Sequence, residues 1–312
     1  MDALTDLLDH TRARGAFVGQ TFLTPPWSWR FDACPPLAVV AVARSGAWID
    51  AGEGPVRLDE GDIALVRGPE PFVIADPVDT PVQVVFQPDG TCHDPAGADI
   101  SATILNGTRT CGDGPDSPAL VLLGEYSIGG EVDGRLLNAL PRLIAVKAAE
   151  LVDSPLGLVA DEIARDEPGQ QALLDRLLDL LLIRSLRAWF ARPDAREPSW
   201  YIAQKDPVVG EALSLLHDDP ARPWTVAELA RKVGASRASF AKRFAELVGE
   251  PPIAYLTGWR LCWAADLLTD SQHTVDAIAR RVGYANAYAL SVAFTRQYGV
   301  RPSDYRRSRR SG

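Results

Sequence analysis

Hydrophobic positions fall into two regimes along this chain. From Phe17 to Tyr126 they come in short runs bounded by proline and glycine, at residues 37–42, 47–49, 63–66, 72–74, 82–86 and 120–123. Short apolar runs between turn residues predict strands, and several in succession predict a β-barrel or sandwich. After Gly129 the spacing becomes helical. Residues 134–151 and 157–165 repeat at helical period, and residues 168–190 predict one long helix with leucines at 173, 174, 177, 178, 180, 181, 182 and 186. A helix apolar over more than half its circumference needs more than one flank to cover it, either a neighbouring helix or a second subunit. Ahead of the strands, Leu4, Leu7 and Leu8 predict a short amphipathic helix over residues 1–15. Residues 192–199, with two prolines and alternating charge, read as a linker.

Residues 224–307 carry the same pattern twice. A threonine able to cap (Thr225, Thr274) precedes a short amphipathic helix, then a glycine (Gly234, Gly283), then a second amphipathic helix. This is the layout of two helix-turn-helix motifs. In the first, Val226, Leu229, Ala230 and Val233 face inward, Ser236 caps the second helix, and Phe240, Phe244 and Leu247 point into the core. That leaves Arg237, Ala238, Ser239, Ala241, Lys242 and Arg243 outward, where a recognition helix meets the major groove of double-stranded DNA. Arg237 and Arg243 are expected to set register on phosphates, Lys242 to donate to guanine acceptors, and the two alanines to offer apolar contact such as a thymine methyl. In the second motif the candidates are Asn286, Ala287, Tyr288 and Ser291. Between the motifs, Ile253, Leu256, Trp259, Leu261, Trp263, Leu267 and Leu268 predict one continuous helix. At about 1.5 Å per residue it spans about 27 Å, close to the ~34 Å of one DNA turn once flanking loops are added.

This segment resembles the C-terminal domain of the AraC/XylS family of transcription regulators. The likeness is carried by the run from Arg260 to Leu268, by Ile278-Ala279, Val282-Gly283-Tyr284 and Phe294, and by Tyr298-Gly299, Pro302 and Tyr305-Arg306. The chain departs from the pattern at Val292, where members often carry a polar or basic reader, and at Leu290, where phenylalanine is common. With no basic residue between Tyr284 and Thr295, the second motif is expected to position more than to read. Arg301 and the Arg306–Arg310 cluster are either phosphate contacts or a solvated tail.

Charge sharpens this division. The chain totals 32 basic and 41 acidic residues, and residues 205–312 hold 16 and 11 of these, so the C-terminal part is net +5 and the rest net −14. A basic reading module joined to an acidic partner has this asymmetry. No run is long and apolar enough to predict a membrane span. Residues 1–10 carry three aspartates and no basic segment of the signal-peptide type, so the expected compartment is the cytoplasm.

In the strand-rich half, residues 58–73 resemble the hairpin of a cupin: a strand, a Gly-Asp turn, a strand, then a second turn. Metal-binding cupins place histidine near that second turn, where this chain has Phe72, which puts the usual metal site in doubt. The four cysteines are expected to be reduced. Cys34, Cys92, His93 and Cys111 allow three readings: a tetrahedral zinc site, a redox switch activated near Arg109, or buried small hydrophobes. A further reading is a small organic effector between the sheets, lined from Trp27, Trp29, Phe31, Trp48, Phe72 and Phe86.

The expected fold is α+β in two domains. A cupin-like β-barrel (1–130) is followed by a helical dimerisation region (131–191), a linker (192–205) and an all-α domain with two helix-turn-helix motifs (206–310). The expected function is a homodimeric, sequence-specific transcription regulator whose N-terminal half senses an oxidant or a small molecule, with RNA polymerase as a further partner. It is not expected to be an enzyme; the rival is a cupin metalloenzyme with an accessory DNA-binding domain.

Overall fold

Period-two alternation builds the first half. A computed structural model describes residues 16–32, 34–126, 137, 140–151, 153–165, 167–192 and 199–310; the helix expected over residues 1–15 lies outside them. The strands are β1 (Phe17–Leu23), β2 (Trp27–Phe31), β3 (Leu37–Arg44), β4 (Gly46–Asp50), β5 (Val56–Asp59), β6 (Ile63–Arg67), β7 (Phe72–Asp76), β8 (Val84–Phe86), β9 (Cys92–His93), β10 (Thr110–Gly112), β11 (Ala119–Tyr126) and β12 (Leu143–Val146), with a short helix α1 (Ser101–Ile104) before β10. They form two six-stranded sheets, ordered β10-β1-β11-β3-β6-β12 and β5-β4-β7-β2-β8-β9. The sheets pack face to face and do not close into a continuous barrel.

Register fixes which residues face the interior. Phe17, Gly19, Thr21 and Leu23 of β1 lie opposite Glu125, Leu123, Val121 and Ala119 of β11. The other sheet contributes Trp27, Trp29, Phe31, Phe72, Ile74 and Val84 to the same core. Phe31 stacks between Phe72, at 4.6 Å between ring centroids, and Phe86, at 4.9 Å. The cupin-like stretch is a corner, not a hairpin: β5 pairs with β4 in one sheet and β6 with β3 in the other. Buried Asp62 holds that corner, accepting from the backbone N–H of Asp59 and Ala148 (both 2.8 Å) and from the Lys147 ammonium (2.7 Å).

Helical spacing after Gly129 is misleading over residues 143–146. There the chain forms β12, antiparallel to β6. Leu143 and Ala145 pack on the core between the sheets, while Ile144 and Val146 are buried as well. A strand apolar on both faces shows no alternation, so periodicity alone reads it as a buried helix. Helices α2 (Leu156–Ile163) and α3 (Gln170–Phe190) do follow the expected pattern. Leu174, Leu177, Leu178, Leu181, Leu182 and Leu186 of α3 are buried. Leu178 sits where a side chain on Gly124 would lie, so glycine there admits the helix to the outer face of β11. Leu173 and Leu180 of α3 and Leu158 of α2 remain exposed.

The second unit is helical: α4 (Ser199–Gln204), α5 (Val209–Asp218), α6 (Val226–Lys232), α7 (Arg237–Val248), α8 (Pro252–Asp270), α9 (Val275–Arg281), α10 (Ala287–Tyr298) and α11 (Pro302–Arg310). Helix α4 occupies part of the stretch expected to be linker. Contacts group residues 12–128 and 140–195 in one unit and residues 196–312 in the other. The helical unit has two cores. One is built on Leu213, Leu229, Phe240, Phe244 and Leu256, the other on Leu261, Leu268, Ile278, Leu290 and Phe294. Helix α8 contributes to both. Among the described residues no helix is long and apolar enough to cross a membrane.

Candidate nucleic-acid interface and sensor cavity

Local capping creates the second helix of the first motif. Thr225 Oγ1 accepts from the Glu228 N–H (3.1 Å) to start α6, and Ser236 Oγ accepts from the Ser239 N–H (3.2 Å) to start α7. Such caps satisfy backbone donors that a helix start leaves unpaired. Gly234, at φ +67°, makes the turn between them in open space. Burial of Phe240 and Phe244 then forces the opposite face outward. Arg237, Ala238, Ser239, Lys242 and Arg243 are exposed and Ala241 is half-buried.

Arg243 is less free than the sequence implies. Its Nε donates to Asp206 Oδ2 at 2.9 Å and a terminal nitrogen reaches the same oxygen. Asp206 Oδ1 accepts from the N–H of Val208 (3.0 Å) and Val209 (2.9 Å) at the start of α5. Desolvation works to raise the Asp206 carboxyl, but the Val209 N–H and the Arg243 guanidinium outweigh it and hold the group below its ordinary value. Arg243 therefore ties α7 to α5, while Arg237 and Lys242 retain outward charge.

The second motif is built the same way. Thr274 caps α9, Gly283 turns at φ +82°, and Asn286 Oδ1 accepts from the Ala289 N–H (2.9 Å) to cap α10. The Asn286 carbonyl oxygen is thereby engaged in the fold. Leu290 and Phe294 are buried; Ala287 and Ser291 are half-buried. Tyr288 is 79% exposed and Val292 55%, so the outward face here is chiefly apolar. Val292, which departs from the family pattern, lies four residues from Tyr288, a spacing that places both on one face.

Helix α8 joins the heads, and three fastenings fix how. Arg260 Nε donates to the Pro220 carbonyl and a terminal nitrogen to the Arg222 carbonyl, both at 2.6 Å. Arg306 donates to the carbonyls of Leu268 (3.0 Å) and His273 (2.6 Å), so it belongs to the fold and not to a solvated tail. Gly283 lies against Ala221: a Cβ there would overlap the Ala221 carbonyl oxygen and come within 2.8 Å of its Cα. The second turn thus abuts the loop ahead of the first motif.

In the sheet unit, Cys34, Cys92 and Cys111 are all buried in the core between the sheets, and neither they nor Cys262 in α8 forms a disulfide. Cys34 lies 3.9 Å from an Arg142 nitrogen, yet burial outweighs the guanidinium and pushes its thiol up. Burial pushes Cys92 up to about 12, with Cys111 and Asp99 adding to the effect, and Cys111 up to about 11. His93 Nε2 lies 3.1 Å from Thr91 Oγ1. Arg109, the cation expected to activate a thiol, donates instead to the Val18 carbonyl (3.0 Å) and is bonded to Gln171. Among the described residues no group of three His, Cys, Asp or Glu is placed to hold a metal. The residues do not fit a cupin metal either, because Phe72 is stacked in the core. Since Cys111 is raised from 9.0 to about 11, its thiolate is about a hundredfold scarcer at neutral pH than in an unfolded chain. Folded protein at about pH 7.5 should accordingly alkylate far more slowly at Cys92 and Cys111 than denatured protein, read by mass spectrometry. Equal rates would contradict the burial account.

Beside Cys111 lies a cavity of about 460 Å³. Phe17, Thr21, Leu123 and Glu125 line it from one sheet, Phe31 and Phe86 from the other, and Leu105 from the connection before β10. Of the six aromatics expected to line an effector site, only Phe31 and Phe86 do so. Trp27, Trp29 and Phe72 are buried in the core, and Trp48 carries the Arg57 guanidinium 5.8 Å from its ring centroid. Glu125 lines the cavity as well, at a position that nothing in its sequence neighbourhood marks.

Comparison with known proteins matches residues 2–191 to a family described as Cupin and residues 229–308 to a helix-turn-helix domain. The chain is similar to a putative AraC-like transcription regulator of Streptomyces lividans, 33% identical over 98% of each chain. One of Streptomyces antibioticus is 32% identical over 98% of this chain and 99% of its own. The regulator AlkR of Acinetobacter baylyi is 40% identical over 55% of this chain and 58% of its own.

Proposed function

The chain belongs to the AraC family of DNA-binding transcription regulators, with a cupin domain ahead of its helix-turn-helix module, and on that premise we propose that it is a cytoplasmic homodimer whose cupin domain binds a small organic effector and thereby alters DNA binding. The reading rests on one observation: a preformed cavity of about 460 Å³ between the sheets. Effector sites are commonly apolar concavities of about 300–1,000 Å³ with a few polar groups. The oxidant reading is weaker, because low-pKa, accessible thiols are what oxidants attack, and burial pushes these thiols the other way. An effector can act only by favouring one arrangement of the protein over another.

DNA affinity is the direct test of the module. Sites selected from random duplexes should be bound with a steep loss of affinity between about 50 and 200 mM salt, because phosphate contacts release counterions. Flat affinity across that range would overturn the proposed interface. Dimerisation is assigned to the apolar residues left outside on α2 and α3, Leu158, Leu173 and Leu180. Leu173→Glu with Leu180→Glu should convert a dimer to a monomer in light scattering, and a dimer unchanged by both would place the contact elsewhere.

A further inference from the structure

We propose that the effector cavity of the cupin domain takes a small organic cation, with Glu125 as its counter-ion and Phe17, Phe31 and Phe86 as its aromatic walls. The inference rests on the cavity being the effector site and names the class of molecule it selects.

Glu125 stands where a carboxyl is costly. On β11 it follows Val121 and Leu123 on the inward face, and it lies opposite Phe17 of β1 and Ala38 of β3. No hydrogen bond or ion pair reaches its carboxyl among the described residues. Two arginines of the same unit are committed elsewhere: Arg109 to the Val18 carbonyl and Gln171, Arg142 to the carbonyls of Glu70 and Pro71. Glu125 is also the only charged residue that lines the cavity among the described residues. Glu125 is half-buried, and the desolvation this brings pushes its carboxyl above its ordinary value. A carboxylate partly withdrawn from water without a partner is unfavourable, and a cation supplied by a ligand would offset that cost.

The walls favour the same charge. Aromatic faces attract organic cations electrostatically, more strongly when water is displaced. Phe31 is held rigid between Phe72 and Phe86. The Phe17 ring crosses the position of Gly19, where a Cβ would sit 2.8 Å from it. Glycine at that position lets the ring lie flat at the cavity wall. An anionic ligand would meet the Glu125 carboxylate as a like charge, and a neutral one would bring it no counter-ion.

Three probes of nearly one size and different charge test this on the full chain: benzylammonium, benzyl alcohol and benzoate, by titration calorimetry at neutral pH. The ammonium should bind at least about tenfold more tightly than the alcohol, with benzoate weakest. Glu125→Gln should remove that preference and leave the alcohol unchanged. Phe17→Leu, at a partly exposed position with little risk to the fold, should weaken the ammonium more than the alcohol. If the alcohol or benzoate binds as well as the ammonium, or if Glu125→Gln leaves the ammonium unaffected in a chain with unchanged circular dichroism, the cation assignment is overturned and the effector cavity stands. If no probe of any charge binds, both fall.

Discussion

Replacing Arg237 and Lys242 together by alanine is expected to lower affinity for the preferred duplex by about a hundredfold or more at moderate salt, with the fold intact. Both side chains are exposed on α7, and neither is buried in a core. Lys242 faces Glu246 one turn on at 3.8 Å, an exposed pair too weak to hold it from DNA. The single variants should separate by role. Lys242→Ala should cost about 1–3 kcal/mol at the preferred sequence and relax its discrimination, while Arg237→Ala should weaken all sequences alike and reduce the salt slope by about one. Arg243→Ala should behave differently from either, because its guanidinium is bound to Asp206; a lowered melting temperature should accompany any loss of binding. Indistinguishable behaviour of the three variants, in binding, salt slope and melting, would refute these assignments.

Gly283→Val carries the second large effect. At φ +82° a residue with a Cβ takes on about 1–2 kcal/mol of backbone strain. The added carbon would also overlap backbone atoms of Ala221, which cannot rotate away as a side chain can. The expected outcome is displacement of the second head from the first. A duplex spanning two successive major grooves should then lose about a hundredfold or more in affinity, the gain that linking two sites confers. A duplex with only the first head's half-site should lose little. Gly234→Val is the control, since its φ of +67° imposes comparable strain on the same side chain with nothing within 4 Å of the added Cβ. An equal loss on both duplexes would mean that the substitution unfolds the domain instead of uncoupling its heads.

Sequence-local features proved readable and distant ones did not. Caps act within a turn, so Thr225, Ser236 and Thr274 announced their helices, whereas Asn286, expected as a DNA contact, is itself a cap. Runs framed by glycine and proline marked β3, β4, β6, β7, β8 and β11, whereas β1, whose apolar run is interrupted by Gly19, Gln20 and Thr21, went unmarked. Two-sided burial of β12 concealed its period. The Arg243–Asp206 pair joins residues 37 apart, and only the packing of α7 on α5 makes it visible. Glu125 looks like any polar residue ending a strand until the β1–β11 register turns it inward. The corner from β5 to β6 read as a hairpin because its turn chemistry is that of one; only pairing shows that the two strands part company.

Helix α8, 19 residues that feed both cores, sets a rotational phase as well as a distance. Each residue in a helix turns the chain by about 100°, so inserting or deleting one in α8 would swing one recognition helix around the axis relative to the other. Both could then no longer face the same side of a duplex. On the proposed interface, operator preference would change by substitution on α7 and α10, but the separation between these two helices is locked in steps of whole helical turns.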